Sequence, residues 1–208
     1  KYNLYIMKTS TWTQLAFCLL SSVFLCMQLI TRLLPGATSG SNQNNGTSPR
    51  SAWQSIEVLK QISLQPGDKI LLKKGETFSG ILELTGKGTY THPIIIDAYG
   101  EGNQKPCIAG NDTSMYAVRI FNSDYFTIQN LEISNTGKER KAGRTGLKRE
   151  CTDYGISHNI RINNLTIRDV NGSLVKEEGG GSGILIVNGG DSIRSRFDSL
   201  TIEKLSHF

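Results

Sequence analysis

Lys176, Glu177 and Glu178 stand side by side in "VNGSLVKEEGGGSG", a base next to two carboxylates ahead of a glycine run. An amine so placed can serve as a general base, while the two glutamates can hold a cation. Calcium, which seeks oxygen ligands, suits them. A second group of charges lies upstream in "TGKERKAGRTGLKRECTD", where six Lys and Arg face Glu139, Glu150 and Asp153. Arg144, Lys148 and Arg149 are its expected contacts to an anionic ligand, as a basic lip over a groove. The plainer readings are an exposed turn beside glycines and a solvated surface loop. The basic segment is long for a simple turn, which keeps the lip in play.

Other chemistries find less support. His92, His158 and His207 show no spacing that would set two on one metal. The glycines do not follow a strand-to-helix pattern and lack the Lys-Ser/Thr ending of a phosphate loop, so neither nucleotide nor nucleic acid is an expected partner. The formal charge of +5 includes Lys1, Lys8 and Arg32 of the N-terminal segment, and the small remainder says little about partners.

The elements that must position these residues begin after residues 1–37. There "MKTSTWTQLAFCLLSSVFLCMQLITRLLPGA" has a lysine, an apolar run and then Pro-Gly-Ala, the outline of a secretory signal peptide. An uncleaved membrane anchor is the alternative, disfavoured because the run is shorter than the roughly 20 residues of a spanning helix. The chain is thus expected to be secreted, periplasmic or at the cell surface. Cys107 and Cys151 remain outside the leader and could form one disulfide. Residues 38–50, "TSGSNQNNGTSPR", read as a polar linker. Residues 51–64 place Trp53, Ile56, Leu59 and Ile62 behind Ser51 as N-cap, which predicts a short amphipathic helix capping the strands C-terminal to it.

From residue 65 to 208 only short apolar runs appear, separated by Gly, Asn, Asp and Pro clusters. "YFTIQNLEISNTG" returns as "IRINNLTIRDVNG" and more faintly as "FDSLTIEKLS". Leu131, Leu165 and Leu200 align the copies, and Ile133, Ile167 and Ile202 come two residues later in each. Repetition at such a period is the mark of a solenoid, in which each coil lays its strands on those of the previous one. Asn130 and Asn164 precede the leucines where the alternation slips, and asparagine tolerates the left-handed backbone of a corner. The fold class is therefore an all-β parallel β-helix with an N-terminal cap.

The runs "SAWQSIEVLKQISLQPGDKILLKKGETFSGILEL", "HPIIIDAYGEGNQKPCIAG" and "DYFTIQNLEIS" resemble the N-terminal part of secreted right-handed parallel β-helix proteins of the pectin lyase-like superfamily, which implies that the coils wind right-handed. That resemblance implies a carbohydrate-active protein, with a polysaccharide lyase on a uronate-containing chain as the leading expectation. Lys176 is then the candidate base, Glu177 and Glu178 the candidate calcium ligands, and Arg144, Lys148 and Arg149 the substrate contacts. A non-catalytic glycan-binding or adhesin-like β-helix is the alternative, and a glycoside hydrolase or epimerase is another. The resemblance also leads one to expect further coils after residue 208.

Overall fold

The computed structural model describes residues 31–34 and 40–207. Strands β2 (Lys69–Lys73), β3 (Thr77–Ser79) and β4 (Leu82–Leu84) make the first coil. The second contains β5 (Ile94–Tyr99), β6 (Cys107–Ala109) and β7 (Tyr116–Phe121), and the third β8 (Phe126–Gln129), β9 (Glu132–Asn135) and β10 (Thr145–Thr152). Then come β11 (Ile156–Asn163), β12 (Thr166–Val170) and β13 (Ser182–Gly189), and a last partial coil of β14 (Arg196–Glu203) and β15 (Ser206–His207). Every pairing is parallel and joins strands of successive coils, giving three sheets around one interior, the first with β2, β5, β8, β11 and β14, the second with β4, β7, β10 and β13, and the third with β3, β6, β9, β12 and β15. This is the right-handed parallel β-helix.

Side chains that alternate inward stack on their equivalents one strand spacing away, roughly 4.8 Å. In the first sheet Ile70, Ile96, Ile128, Ile162 and Ile202 form one such column. The first four are fully buried. Phe78, Ile108, Ile133 and Ile167 form a second column in the third sheet. Branched aliphatic side chains suit these positions because their stiff rotamers repeat from coil to coil.

The pairing corrects the third copy of the repeat. Leu200 lies on Ile160, not Leu165, and Ile202 lies on Ile162, not Ile167. Asn163 pairs with Glu203, so the next positions, Asn164 and Lys204, are equivalent, as are Leu165 and Leu205. Both Asn164 and Lys204 are left-handed, at φ 50° and 52°. The fourth coil is longer because of its excursions after β12 and β13, and the sequence similarity of "SLTIE" to "NLTIR" hid that difference.

The segment expected as a capping helix takes another form. Ile56–Gln61 is a 3-10 helix capped by Ser55, whose hydroxyl accepts from the Glu57 N–H at 3.0 Å. The strict spacing of three from Trp53 to Ile62 matches the three residues per turn of that helix. Trp53, Ile56 and Leu59 are nonetheless buried in the main core. Residues 40–48 are not a loose linker. Asn44 accepts the Trp53 Nε1–H at 2.6 Å on its carbonyl and donates its amide to Ala52 O at 3.0 Å. Gly46, at φ 71°, sits where a Cβ would come within 2.7 Å of the Trp53 ring, so only glycine lets the chain close over the indole. The leader expected over residues 1–37 lies outside the described residues except for β1 (Thr31–Leu34), whose backbone pairs in parallel with β2.

Candidate functional site

The longest part of the basic segment is strand, not loop. Along β10 Leu147, Arg149 and Cys151 alternate inward while Lys148 and Glu150 are half-exposed. Arg149 occupies the interior row that runs Leu84, Ile120, Arg149, Ile186. It is fully buried, and its guanidinium donates to Ile120 O at 3.2 Å, Ser123 O at 3.0 Å, Glu150 O and Ser157 Oγ. It ties the second sheet to the turn that enters the first. Burial lowers its pKa, with nearby acidic groups partly restoring it.

Arg144 is 1% exposed and donates to the carbonyls of Asp112 (3.0 Å) and Glu139 (3.4 Å). Both arginines are buried and give donors to backbone carbonyls instead of standing exposed as a lip, although Arg144 borders a surface cavity with Lys138, Arg140 and Lys141 and its Nε and Nη1 have no partner among the described residues. Their donors satisfy backbone oxygens that the turns leave unpaired. Only Lys148 of that trio is on an outer face. Lys176, Glu177 and Glu178 form an exposed 3-10 turn between β12 and β13. Glu178 accepts a hydrogen bond from Ser173 Oγ at 2.5 Å. Among the described residues no three His, Cys, Asp or Glu side chains gather to hold a metal ion. Cys107 and Cys151 are buried free thiols, on the third and second sheets, so the permitted disulfide does not form.

The outer face of β4, β7, β10 and β13 does bring functional groups together. One row runs Glu83, Arg119, Lys148, Leu185 and the next Phe121, Glu150, Val187. Arg119 bridges both carboxylates, Nη1 to Glu83 Oε1 at 2.6 Å and Nη2 to Glu150 Oε2 at 2.8 Å. Lys148 Nζ meets the same Glu150 oxygen at 2.9 Å. The Arg119 guanidinium lies 4.3 Å from the Phe121 ring centroid and 5.6 Å from that of Tyr116, whose hydroxyl donates to Glu83 at 3.4 Å. Burial acts to raise the Glu150 pKa, but the hydrogen bonds and charges of Lys148 and Arg119 outweigh it and hold the carboxyl below its ordinary value. Glu150 is therefore an ionised acceptor. Sequence reasoning missed Glu83, Tyr116, Arg119 and Phe121; the alternation in "GILEL" and "VRIF" puts Glu83, Arg119 and Phe121 on the outward side, while Tyr116 comes before that alternation begins.

A second polar group lies where the second sheet turns into the first. Tyr154 donates its hydroxyl to Asp124 Oδ2 at 2.7 Å, and Asp124 Oδ1 accepts the His158 N–H at 2.9 Å. The imidazole of His158 pairs with Asp198 at 2.9 Å and stacks on Tyr125. Burial, reinforced by the hydrogen bond to Asp124, pushes the Tyr154 phenol far above its usual value. It stays protonated and cannot serve as a ready base.

No protein-family model matches the chain. Among curated proteins it is similar to the lacto-N-biosidase of Bifidobacterium longum subsp. longum, 27% identical over 70% of this chain and 12% of that protein. Among solved structures it overlays on two crystal structures of a GH136 lacto-N-biosidase from Eubacterium ramulus. The selenomethionine derivative gives a TM-score of 0.73 at 24% identity, covering 95% of this chain and 37% of that one. The native protein gives 0.66 at 24% identity, covering 94% and 38%. The chain thus spans a small part of the curated relative and well under half of the solved one. What the overlays establish for this chain is its fold, the parallel β-helix.

Proposed function

We propose that the chain is part of a carbohydrate-active β-helix that handles a glycan by hydrolysis rather than β-elimination, with the outer face of β4, β7, β10 and β13 as its contact surface. The observation that carries this reading is the arrangement around Arg119: two aromatic rings flank a guanidinium that fixes two carboxylates on a flat sheet. Sugar rings present C–H faces that stack on aromatic rings and hydroxyls that pair with carboxylates and guanidinium groups. The curated similarity to a lacto-N-biosidase supports hydrolysis.

Elimination finds less support from these residues. It needs a free base and a cation to neutralise a uronate carboxylate. Arg144 and Arg149 are buried against backbone carbonyls, Lys148 is tied to Glu150, Tyr154 is held protonated, and Lys176 is on an exposed turn away from the Arg119 face. A non-catalytic glycan-binding module is the second reading, favoured by the fact that Glu150 is fixed as an acceptor and not poised as an acid.

The test is to incubate the protein with a panel of neutral oligosaccharides and uronate polysaccharides. New reducing ends without ultraviolet absorbance of an unsaturated product are expected. Appearance of the unsaturated product would sink the hydrolytic reading, and binding without either product would favour the second one.

A further inference from the structure

At the corner where the first sheet passes into the third, the side chains form a directed chain of hydrogen bonds with a charge at each end. Lys105 Nζ donates to Asn164 Oδ1 at 3.1 Å, Asn164 Nδ2 to Asn130 Oδ1 at 2.8 Å, and Asn130 Nδ2 to Asp97 Oδ1 at 2.7 Å. Asp97 also accepts from Ala98 N at 2.6 Å and Gln129 Nε2 at 2.7 Å, so both its oxygens are engaged by neutral donors. The ammonium end is different. Its other bond goes to Thr166 Oγ1 at 3.0 Å, and an ammonium has a third N–H to give.

Among the described residues no carboxylate answers that charge directly. Glu132 acts on Lys105 only through space and is itself bonded to Arg168 at 2.8 Å. Burial lowers the Lys105 pKa more than Glu132 raises it, so desolvation of the ammonium is not made good by its surroundings. Lys74 borders the same cavity, of about 360 Å³, and neither lysine forms a salt bridge among the described residues. Asn103 lines it too. Two half-buried cations therefore share a polar hollow with one carboxylate whose oxygens are already taken.

We propose that this cavity binds the carboxylate of an acidic sugar, gripped by Lys105 and Lys74, with Asn103 available to a ring hydroxyl. A partly desolvated ammonium gains most from an ionised acceptor, and hydrogen bonds of that kind are about twice as strong as neutral ones. The sugar part of the proposal rests on the carbohydrate-active reading above; recognition of the carboxylate does not. The site is at the corner between the first and third sheets, whereas the Arg119 face belongs to the second, and the two share no residue.

The test is calorimetric titration of the protein with glucuronate, glucose and acetate, on the wild type and on Lys105→Met, Lys74→Met and, as a control, Lys138→Met at a side chain 88% exposed. Glucuronate is expected to bind, glucose not to, and acetate to bind more weakly. Each cavity variant should weaken glucuronate by about tenfold or more, and Lys138→Met should leave it unchanged. Should Lys105→Met unfold, Lys74→Met carries the test. Absence of glucuronate binding, equal affinity for acetate, or cavity variants that bind like wild type would each overturn the proposal. None of these results bears on whether neutral glycans are hydrolysed, so the two readings fail separately.

Discussion

On the outer face of β4, β7, β10 and β13 each of the four charges meets its opposite within 3 Å, whereas at the Asp97–Lys105 corner the ammonium meets only neutral oxygens. Both regions are ladders built by the same repetition of coils. In the first, Glu83 stacks on Arg119 while Glu150 meets both Arg119 and Lys148 from the neighbouring row, so opposite charges are neutralised across two rows. In the second, stacking brings amide onto amide, which can pass hydrogen bonds along but cannot cancel a charge. A closed ladder holds the fold and offers fixed acceptors to a neutral partner, and an open one retains a charge for an ionic partner.

The largest effect expected from this contrast lies beneath the paired face. Arg149→Ala removes the donor that satisfies the buried carbonyls of Ile120 and Ser123 and the Ser157 hydroxyl, and should cost about 3 kcal/mol or more. Urea unfolding would measure it. A neutral Arg149→Ala would mean that the guanidinium is dispensable and its burial incidental.

Next is the pairing itself. Arg119→Met leaves Glu83 and Glu150 facing one another on a half-exposed surface, and should cost about 1 kcal/mol, less at high salt. The double variant Glu83→Gln with Arg119→Met should recover part of that loss. Acid titration sharpens the point. The folded pKa of Glu150 lies below its ordinary value of 4.5, so its contribution is complete above that pH and disappears as pH falls through the lower folded value. Glu150→Gln should therefore flatten the acid side of the stability profile, and an unchanged profile would contradict the bridge.

At the open corner the effects shrink. Asn130, at φ 59°, should lose about 1 kcal/mol on substitution by Ala and less by Gly, because the left-handed backbone penalises a Cβ. Lys105→Met should change stability least of all, within about 1 kcal/mol in either direction, since deleting a cation with no counter-ion also removes its desolvation cost.

Much of the fold was legible in the residues. Ile70, Ile96, Ile128 and Ile162 fall in short alternating runs, and Asn130 and Asn164 mark the corner where alternation slips. The third copy misled because "SLTIE" resembles "NLTIR" in composition, while the true register depends on the lengths of excursions that carry no apolar pattern. The site was harder to read. Charge count alone cannot tell Arg149, which sits at an interior position of its strand, from Lys148 beside it. The alternation Leu147, Arg149, Cys151 held that information, but a segment rich in Lys and Arg reads as loop. Glu83 and Glu150 are far apart in sequence, and only the stacking of three coils brings them to one arginine.

The central claim is that the Arg119 face is the surface that meets a neutral glycan, and backbone amide chemical-shift mapping during titration with neutral oligosaccharides tests it most directly. The account predicts perturbations concentrated at Glu83, Arg119, Phe121, Lys148 and Glu150, abolished by Phe121→Ala. Perturbations centred on Tyr125 and His158 on the first sheet, with the Arg119 face silent, would contradict it.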